Sequence, residues 1–560
     1  MPSLGRIFLG RFFLGVSLSL LLVGGGSAAI AAVTKVAHPR TAPVRAPAVK
    51  AGTPQTATDP GALVLKNTCS ACHAPLPDGG YARITQMRKT PEGWEITLNR
   101  MAVVHGVPLS ATDQANVLKY LSDHFGLAPA EAAPYRAFLE QVPYVKDKSP
   151  SPFLSMMCAR CHSFARIGLE RRDTAEWVKL ANFHLGQYPA TEYSEKGRGV
   201  EWWKLASTVV PPMLGKMFPF NTAEWTAWQK HADPDLSGIW RVTGHVPGKG
   251  DYQGHMFVDE TAKDHYEASL TLRYADGSEL HGSGDVVTYT GYEWRGTFTL
   301  GKDAVHQVLA VGADGGLSGR WFEATHPERG GTMTAYRETD HQPRIMQVSQ
   351  PYLHAGDTAQ IEIDGTGLAG TPQFGAGVQV LRVVSHSPER IVVLASADAD
   401  AVAGARTVSV GATKADGAFV VYRSIDFVKL VPDDAIARVG DNGGPLPAVT
   451  AQFEAVGYLL APGSGKGEQA VRIGVFPAEW SVSNFSAAAA AREDTRFAGH
   501  ITASGEFDPA GAGPDPKRKF GGDNIGNLRV TGRISDHGQS ISGDAHLIVT
   551  VQRWITQPIF

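Results

Sequence analysis

The sequence predicts a multidomain protein: a helical N-terminal third, then three mainly antiparallel β domains. Three observations predict this. Apolar residues keep helical spacing from Gly61 to about Asp233. From "DPDLSGIWRVTG" onward, period-two alternation with Gly-rich turns replaces it. Glycine and proline are abundant, 62 and 35 residues, which suits short strands joined by turns. A length of 560 residues fits about three or four domains. The formal charge of −3 gives no case for nucleic acid, and there is no basic stripe.

The chain opens with "MPSLGRIFLGRFFLGVSLSLLLVGGGSAAIAAVTK". Arg6 and Arg11 form a positive n-region, Phe12 to Val23 is apolar, and Ala29-Ile30-Ala31 is an A-x-A cleavage pattern. Residues 1–31 read as a secretory signal peptide; the apolar run is too short to span a bilayer comfortably. Residues 32–57 are Pro/Ala-rich without apolar periodicity and read as a disordered leader. The mature chain is expected to be exported to the periplasm, with no membrane anchor after cleavage.

Export changes how the cysteines are read. All four lie in "CSACH" (residues 69–73) and "CARCH" (158–162). Two vicinal disulfides are one reading in an oxidising compartment. A zinc site is another, but it needs four ligands on one metal and leaves the repeated adjacent His unexplained. C-x-x-C-H is the attachment pattern of c-type haem. Cys69 and Cys72, and again Cys158 and Cys161, would form thioethers to the porphyrin. His73 and His162 would be the iron ligands that follow them.

The helical region, 58–232, divides into two lobes of about 58–148 and 149–232. In the first, "DPGALVLKNTCSACH" is a short helix delivering the motif. "TPEGWEITLNRMAVVHG" is a ligand-bearing helix. "SATDQANVLKYLSDHFG", capped by Ser110 and carrying Val117, Leu118 and Leu121, closes the lobe. The second lobe repeats the order with "SPFLSMMCARCH", "TAEWVKLANFHLGQYP" and "NTAEWTAWQKH". Aligning Trp94 with Trp177 places Met101 and His184 on equivalent positions. Both residue types serve as a sixth iron ligand. The reading is haem one on His73 and Met101, and haem two on His162 and His184. His105 competes with Met101, which could also be core. Met213 or Met217 in "PPMLGKMFPF" competes with His184.

Three β domains follow. Residues 233–341 predict a β-barrel or sandwich from hairpins punctuated by Asp-Gly and Gly-Ser. Residues 342–431 predict an immunoglobulin-like sandwich, and residues 432–560 a C-terminal immunoglobulin-like β domain. This half holds no G-x-S-x-G, H-E-x-x-H or phosphate-binding loop. "GSGKGEQ" at 463–469 lacks P-loop spacing and reads as a turn. His255, His306 and His326 read as surface or hydrogen-bonded residues.

With "CSACH", "CARCH" and "WVKLANFHLGQYP" ahead of three β domains, the mature chain resembles the alpha subunit of bacterial quinohemoprotein amine dehydrogenase. The resemblance implies an α-helical dihaem cytochrome c domain followed by barrel and immunoglobulin-like domains. It implies a periplasmic heterotrimer with a β-propeller beta subunit and a small gamma subunit bearing cysteine tryptophylquinone. Primary amines would be oxidised on that quinone. The dihaem chain would relay electrons to a soluble acceptor such as a cytochrome c or a cupredoxin. Cysteine tryptophylquinone needs a cysteine, and haem claims all four here, so no catalytic residue is expected in this chain. Met ligation raises haem potential, so electrons are expected to enter at haem two and leave from haem one. Alternatives are a dihaem subunit of another periplasmic dehydrogenase, a dihaem peroxidase, or a haem sensor with adhesive sandwich domains.

Overall fold

A computed structural model describes residues 59–188, 190–340, 342–442, 446–460, 470–518 and 522–552. The expected signal peptide, leader and "GSGKGEQ" turn lie outside the described residues.

The N-terminal region is helical: α1 (Pro60–Asn67), α2 (Pro91–His105), α3 (Ala111–His124), α4 (Pro129–Ala132), α5 (Arg136–Leu139), α6 (Pro152–Cys158), α7 (Ala165–Gly168), α8 (Thr174–Gln187), α9 (Ala190–Lys196), α10 (Trp202–Thr208), α11 (Val210–Met217) and α12 (Ala223–Trp228). Local chemistry fixes where many of them start. Side chains of Asp59, Thr90, Ser110, Ser151, Asp173 and Thr222 cap α1, α2, α3, α6, α8 and α12 by accepting first-turn N–H groups. Each such cap is worth about 1 kcal/mol. Val64, Leu65, Trp94, Leu98, Val117 and Leu121 form the first lobe's core. Leu154, Met157, Phe164, Trp177, Trp202 and Leu214 belong to the second's. "PPMLGKM" lies in helix α11. Its prolines fall in the first turn, where the missing N–H would have no intrahelical acceptor.

Residues 233–341 contain a closed eight-stranded antiparallel barrel: β3 (Gly238–Val246), β4 (Gly250–Ala262), β5 (His265–Tyr274), β6 (Glu279–Tyr289), β7 (Glu293–Leu300), β8 (Asp303–Val311), β9 (Leu317–Glu323) and β10 (Gly330–Arg337), with β10 closing on β3. Ahead of them, β1 (Met87–Lys89) and β2 (Glu170–Arg172) form a two-stranded ladder between the lobes. The barrel interior is filled rather than hollow, with Trp240, Met256, Trp294, Phe298 and Trp321 buried together. Two of its indole N–H groups are paired: Trp294 Nε1 donates to Gln307 Oε1 at 2.9 Å, and Trp321 Nε1 to the Tyr252 hydroxyl at 3.1 Å. Gly254 lets β4 approach β5 closely; a Cβ there would lie 1.8 Å from the Thr271 carbonyl oxygen. The barrel holds the helical region through Arg295 to Glu92 at 2.6 Å, the Thr290 N–H to Asp123 at 2.8 Å and Trp228 Nε1 to the Thr290 carbonyl at 2.8 Å.

The next domain is two four-stranded sheets. One is ordered Arg344–Ser349, Thr358–Thr366, Arg390–Ala397, Val378–His386. The other is ordered Tyr352–His354, Thr413–Tyr422, Gly404–Val410, Pro372–Gln373. The expected break at 431/432 falls one strand late. Phe427–Val431 pairs with Glu454–Leu460 and so belongs to the sheets of the last domain. The mainly antiparallel pattern has parallel exceptions: Tyr352–His354 beside Thr413–Tyr422, and Asp434–Arg438 beside Gln539–Thr550.

A charged histidine ties the barrel to the last domain. His245 Nδ1 lies 2.6 Å from Asp251 and Nε2 2.7 Å from Glu454. Burial opposes the charge, but the bonds to both carboxylates outweigh it and raise His245 to about 9. A raised histidine stabilises fully below its unfolded value of about 6.5 and loses that contribution as pH climbs through the folded value. Thermal stability is therefore expected to fall between pH 6.5 and 9, the group contributing roughly 3 kcal/mol at the low end. His245→Gln should flatten the melting temperature over this range; an unchanged pH profile would refute the assignment.

Candidate functional site

In the first lobe, α1 runs into a short 3-10 turn, Cys69–Ala71. The His73 N–H donates to the Cys69 carbonyl at 3.0 Å, winding the motif so that both cysteines and His73 sit on one compact turn. Cys69 is half-buried and Cys72 exposed; neither is in a disulfide. His73 Nδ1 lies 2.8 Å from the Ala82 carbonyl. A carbonyl only accepts, so Nδ1 carries the proton and Nε2 keeps its lone pair. Met101 is half-buried on α2, and His105 is exposed at that helix's end. Among the described residues, no hydrogen-bond or ring contact joins His73 to either of them.

The second lobe does bring its two histidines together. The Ser151 hydroxyl caps α6, which delivers Cys158, half-buried, and then exposed Cys161. His162 Nδ1 lies 2.9 Å from the Ser163 carbonyl, and His184 Nδ1 on α8 lies 2.9 Å from the Leu180 carbonyl. Both rings are thus fixed as Nδ1–H tautomers, and Nε2 keeps its lone pair. Their centroids are 6.4 Å apart, with planes tilted by 49°. Phe183, Tyr188 and Trp202 surround His184 at 5.8, 6.2 and 6.4 Å. Burial keeps both imidazoles below their ordinary value, hence neutral. Burial also pushes the Cys158 thiol up to about 12 and raises Cys69. Met213 is half-buried against the second lobe's core, and Met217 is 40% exposed.

The lobes meet on a seam that the sequence reading missed. In the β1–β2 ladder, Arg88 pairs with Arg171, Met87 with Arg172 and Lys89 with Glu170. The lobes repeat through this ladder. The Lys89 N–H donates to the Phe125 carbonyl at 2.9 Å, and the Arg172 N–H to the Phe218 carbonyl at 3.1 Å. Lys89 lies over Trp94, and Arg172 over Trp177. Thr90 and Asp173 cap the helices carrying Met101 and His184. A local two-fold axis therefore passes through the Arg88–Arg171 pair. Glu131 of α4 sits between these arginines, 2.8 Å from Arg88 Nη1 and 3.0 Å from Arg171 Nε. All three side chains are at most 7% exposed.

Four family models match the chain in order. Residues 59–225 match the haem-binding part of "Quinohemoprotein amine dehydrogenase A, alpha subunit". Residues 233–338, 342–423 and 428–559 match domains II, III and IV of the same subunit. The chain belongs to the quinohemoprotein amine dehydrogenase alpha-subunit family. That family is a subunit of an amine dehydrogenase, an oxidoreductase, and it carries a haem-binding region. No curated protein matched. Solved structures match this alpha-subunit chain only with low TM-scores. A redesigned β-barrel, mFAP0, bound to DFHBI, is 20% identical, with 18% of this chain and 98% of that chain covered and a TM-score of 0.17. A Bacteroides ovatus glucan-utilisation protein, SGBP-B, in complex with a mixed-linkage heptasaccharide is 12% identical over 38% and 48%, with a TM-score of 0.16. Neither bears on function.

The second lobe of this alpha-subunit chain fits an iron porphyrin. Two imidazoles sharing one metal at about 2.0 Å per bond place their ring centres about 6 Å apart, and His162 and His184 have that separation. Neutral imidazoles offer the lone pairs that iron takes.

Proposed function

We propose that this chain is the dihaem electron-transfer subunit of a periplasmic amine dehydrogenase. Cys69 and Cys72 attach haem one, which His73 and Met101 ligate. Cys158 and Cys161 attach haem two, which His162 and His184 ligate. The observation carrying the reading is the His162–His184 pair, two neutral rings with fixed tautomers 6.4 Å apart beside a C-x-x-C-H turn. When bound, the haems supply one-electron carriage. The chain's own part is to hold them. The carbonyls of Ala82, Ser163 and Leu180 orient the imidazoles, and such outer bonds raise ligand basicity. Phe183, Tyr188 and Trp202 pack around the His184 ring. The rigid seam keeps the two lobes at a fixed spacing.

In this proposal the oxidative deamination of primary amines takes place on a partner-borne cysteine tryptophylquinone in a small gamma subunit, with a β-propeller beta subunit completing the assembly. A cytochrome c or cupredoxin accepts the electrons. The test is direct. Pyridine haemochrome analysis of the purified chain should give two covalent haems. The chain without partners should show no amine-dependent haem reduction; steady reduction would refute the division of labour. The oxidised protein should show a weak far-red Met-sulfur-to-iron band, lost in Met101→Ala and kept in Met213→Ala. The reverse pattern would move haem one's or haem two's ligand to Met213.

A further inference from the structure

Domains III and IV meet around two histidines that lie outside the haem-binding region. His354 and Asp357 stand at the two ends of the turn His354-Ala355-Gly356-Asp357, closed by the Asp357 N–H donating to the His354 carbonyl at 3.0 Å. Gly356 takes φ +93° there, a left-handed backbone that glycine adopts without strain. The other histidine, His537, comes from the far end of the chain. It lies on the two-residue turn between the strands Gly526–Asp536 and Gln539–Thr550. His537 and Gly538 are both left-handed, with φ +43° and +77°, as such tight hairpin turns require. Domain III and the connector after it pin both sides of this turn. The Tyr422 hydroxyl donates to Asp536 Oδ2 at 3.0 Å. Gln539 donates to the Ile425 carbonyl at 2.7 Å and accepts the Ile425 N–H at 2.9 Å.

A compact donor set results. One nitrogen of each imidazole and a carboxylate oxygen of Asp357 all lie within 4.8 Å of one another. His537 Nε2 is 2.9 Å from Asp357 Oδ2 and 4.0 Å from Asp536 Oδ1. The two rings stack with their centres 3.7 Å apart. His354 Nε2 lies 3.0 Å from the Arg423 carbonyl, so the proton is on Nε2 and Nδ1 keeps its lone pair. That Nδ1 is enclosed and has no hydrogen-bond partner, an exception among buried polar atoms. The Asp357 and His537 side chains are 41% and 40% exposed, so the cluster opens to solvent on their side. A similar cluster of His255, Glu338 and Glu389 differs in one respect. Arg241 Nη1 stands 3.5 Å from His255 Nε2, and that guanidinium repels a metal ion.

We propose that His354, Asp357 and His537 bind a divalent transition-metal ion of the zinc class, which fastens domain III to domain IV. Imidazole nitrogen and carboxylate oxygen are donors that zinc takes. Asp536 adds a second negative charge, so two carboxylates face one dication. His354 ligates through Nδ1, and His537 through Nε2, whose proton the ion displaces. Two imidazoles on one tetrahedral ion have ring centres about 5 Å apart, so the stacked rings part by about 1 Å on binding. The exposed His537 side chain has solvent to move into. Water takes the remaining position. The site stands independently of the haem reading.

The full chain, untagged and treated with chelator, is titrated with Zn2+ by calorimetry. Zinc-edge X-ray absorption, which iron does not obscure, then reads the ligands. The wild type should bind one tight equivalent, unchanged in His255→Gln. His537→Asn, Asp357→Asn and His354→Gln should each weaken it about 100-fold or more, at or beyond the cost of losing an outer-shell partner. Asn tolerates the left-handed backbone at 537, so His537→Asn keeps the turn and decides the matter if His354→Gln fails to fold. The absorption spectrum should fit two imidazoles at about 2.0 Å, and one in His537→Asn. Zinc should raise the melting temperature of the wild type and leave that of His537→Asn in place. Ca2+ and Mg2+, which take oxygen ligands, should not compete. No tight equivalent in the wild type would overturn the proposal. Binding unchanged in His537→Asn and Asp357→Asn would mean adventitious zinc elsewhere and overturn it. Displacement by Ca2+ or Mg2+ would overturn the metal class.

Discussion

Glu131→Ala is expected to destabilise the helical region by roughly 3–5 kcal/mol, the usual cost of removing one partner from a buried ion pair. Both Arg88 and Arg171 lose their carboxylate at once, and both are enclosed. The loss extends further. Glu131 also accepts the Ala128 N–H at 2.8 Å and the Thr222 hydroxyl at 3.0 Å, so the start of α4 and the cap residue of α12 are released together. Burial pushes this carboxyl up, but the bonds from Arg88 and the charges of both arginines hold it below its ordinary value. A depressed carboxylate stabilises above its unfolded value of about 4.3 and ceases to do so as pH falls through the folded one. Denaturant titration followed by far-ultraviolet circular dichroism at pH 7 measures the loss. Glu131→Gln, which keeps the shape and some hydrogen bonds, should fall between wild type and Ala. A loss under about 1 kcal/mol for Glu131→Ala, the range of an exposed pair, would show that the seam does not hold the lobes.

His184→Ala is expected to leave the haem attached at Cys158 and Cys161 while opening its sixth coordination position. In the proposed reading, attachment depends on Cys158, Cys161 and His162, and α8 supplies the sixth ligand through His184. Half of the haem should convert from low to high spin and bind carbon monoxide when reduced, with the other haem unaffected. Electron paramagnetic resonance and optical spectra read both changes. An unchanged low-spin population would reject His184 and favour Met213. His162→Ala provides the contrast, since it removes the residue inside the attachment motif and should lower haem incorporation itself.

Much of the helical region was legible in the sequence because its signals are local. Ser110 before an apolar repeat, Asp59 before Pro60 and the C-x-x-C-H turns are each settled within a few residues of chain. The Trp94/Trp177 register was legible as spacing. The seam was not. Met87–Lys89 and Glu170–Arg172 are charged triplets, and the burial of Arg88 and Arg171 depends on a glutamate some 40 residues away in the chain; hydrophobic periodicity carries no trace of that. Helices α9 to α11 were missed for a related reason: short helices of 7 or 8 residues take their stability from packing on α8, not from their own pattern. Phe427–Val431 reads as an alternating strand in either domain, and only its distant partner decides between them.

The axis through Arg88 and Arg171 also has a bearing on ancestry. Had two separate copies of one lobe associated face to face, every residue at their contact would be present twice, and two carboxylates would compete for the space Glu131 fills. A tandem arrangement escapes that duplication. The segment joining the halves is traversed once, so α4 can deliver a solitary acid to a point where a pair would repel. Such a residue lies where the repeat cannot copy it. It makes the halves unequal from the outset, one contributing the connector and the other receiving it, and gives a near-symmetric duplicate an inherent front and back.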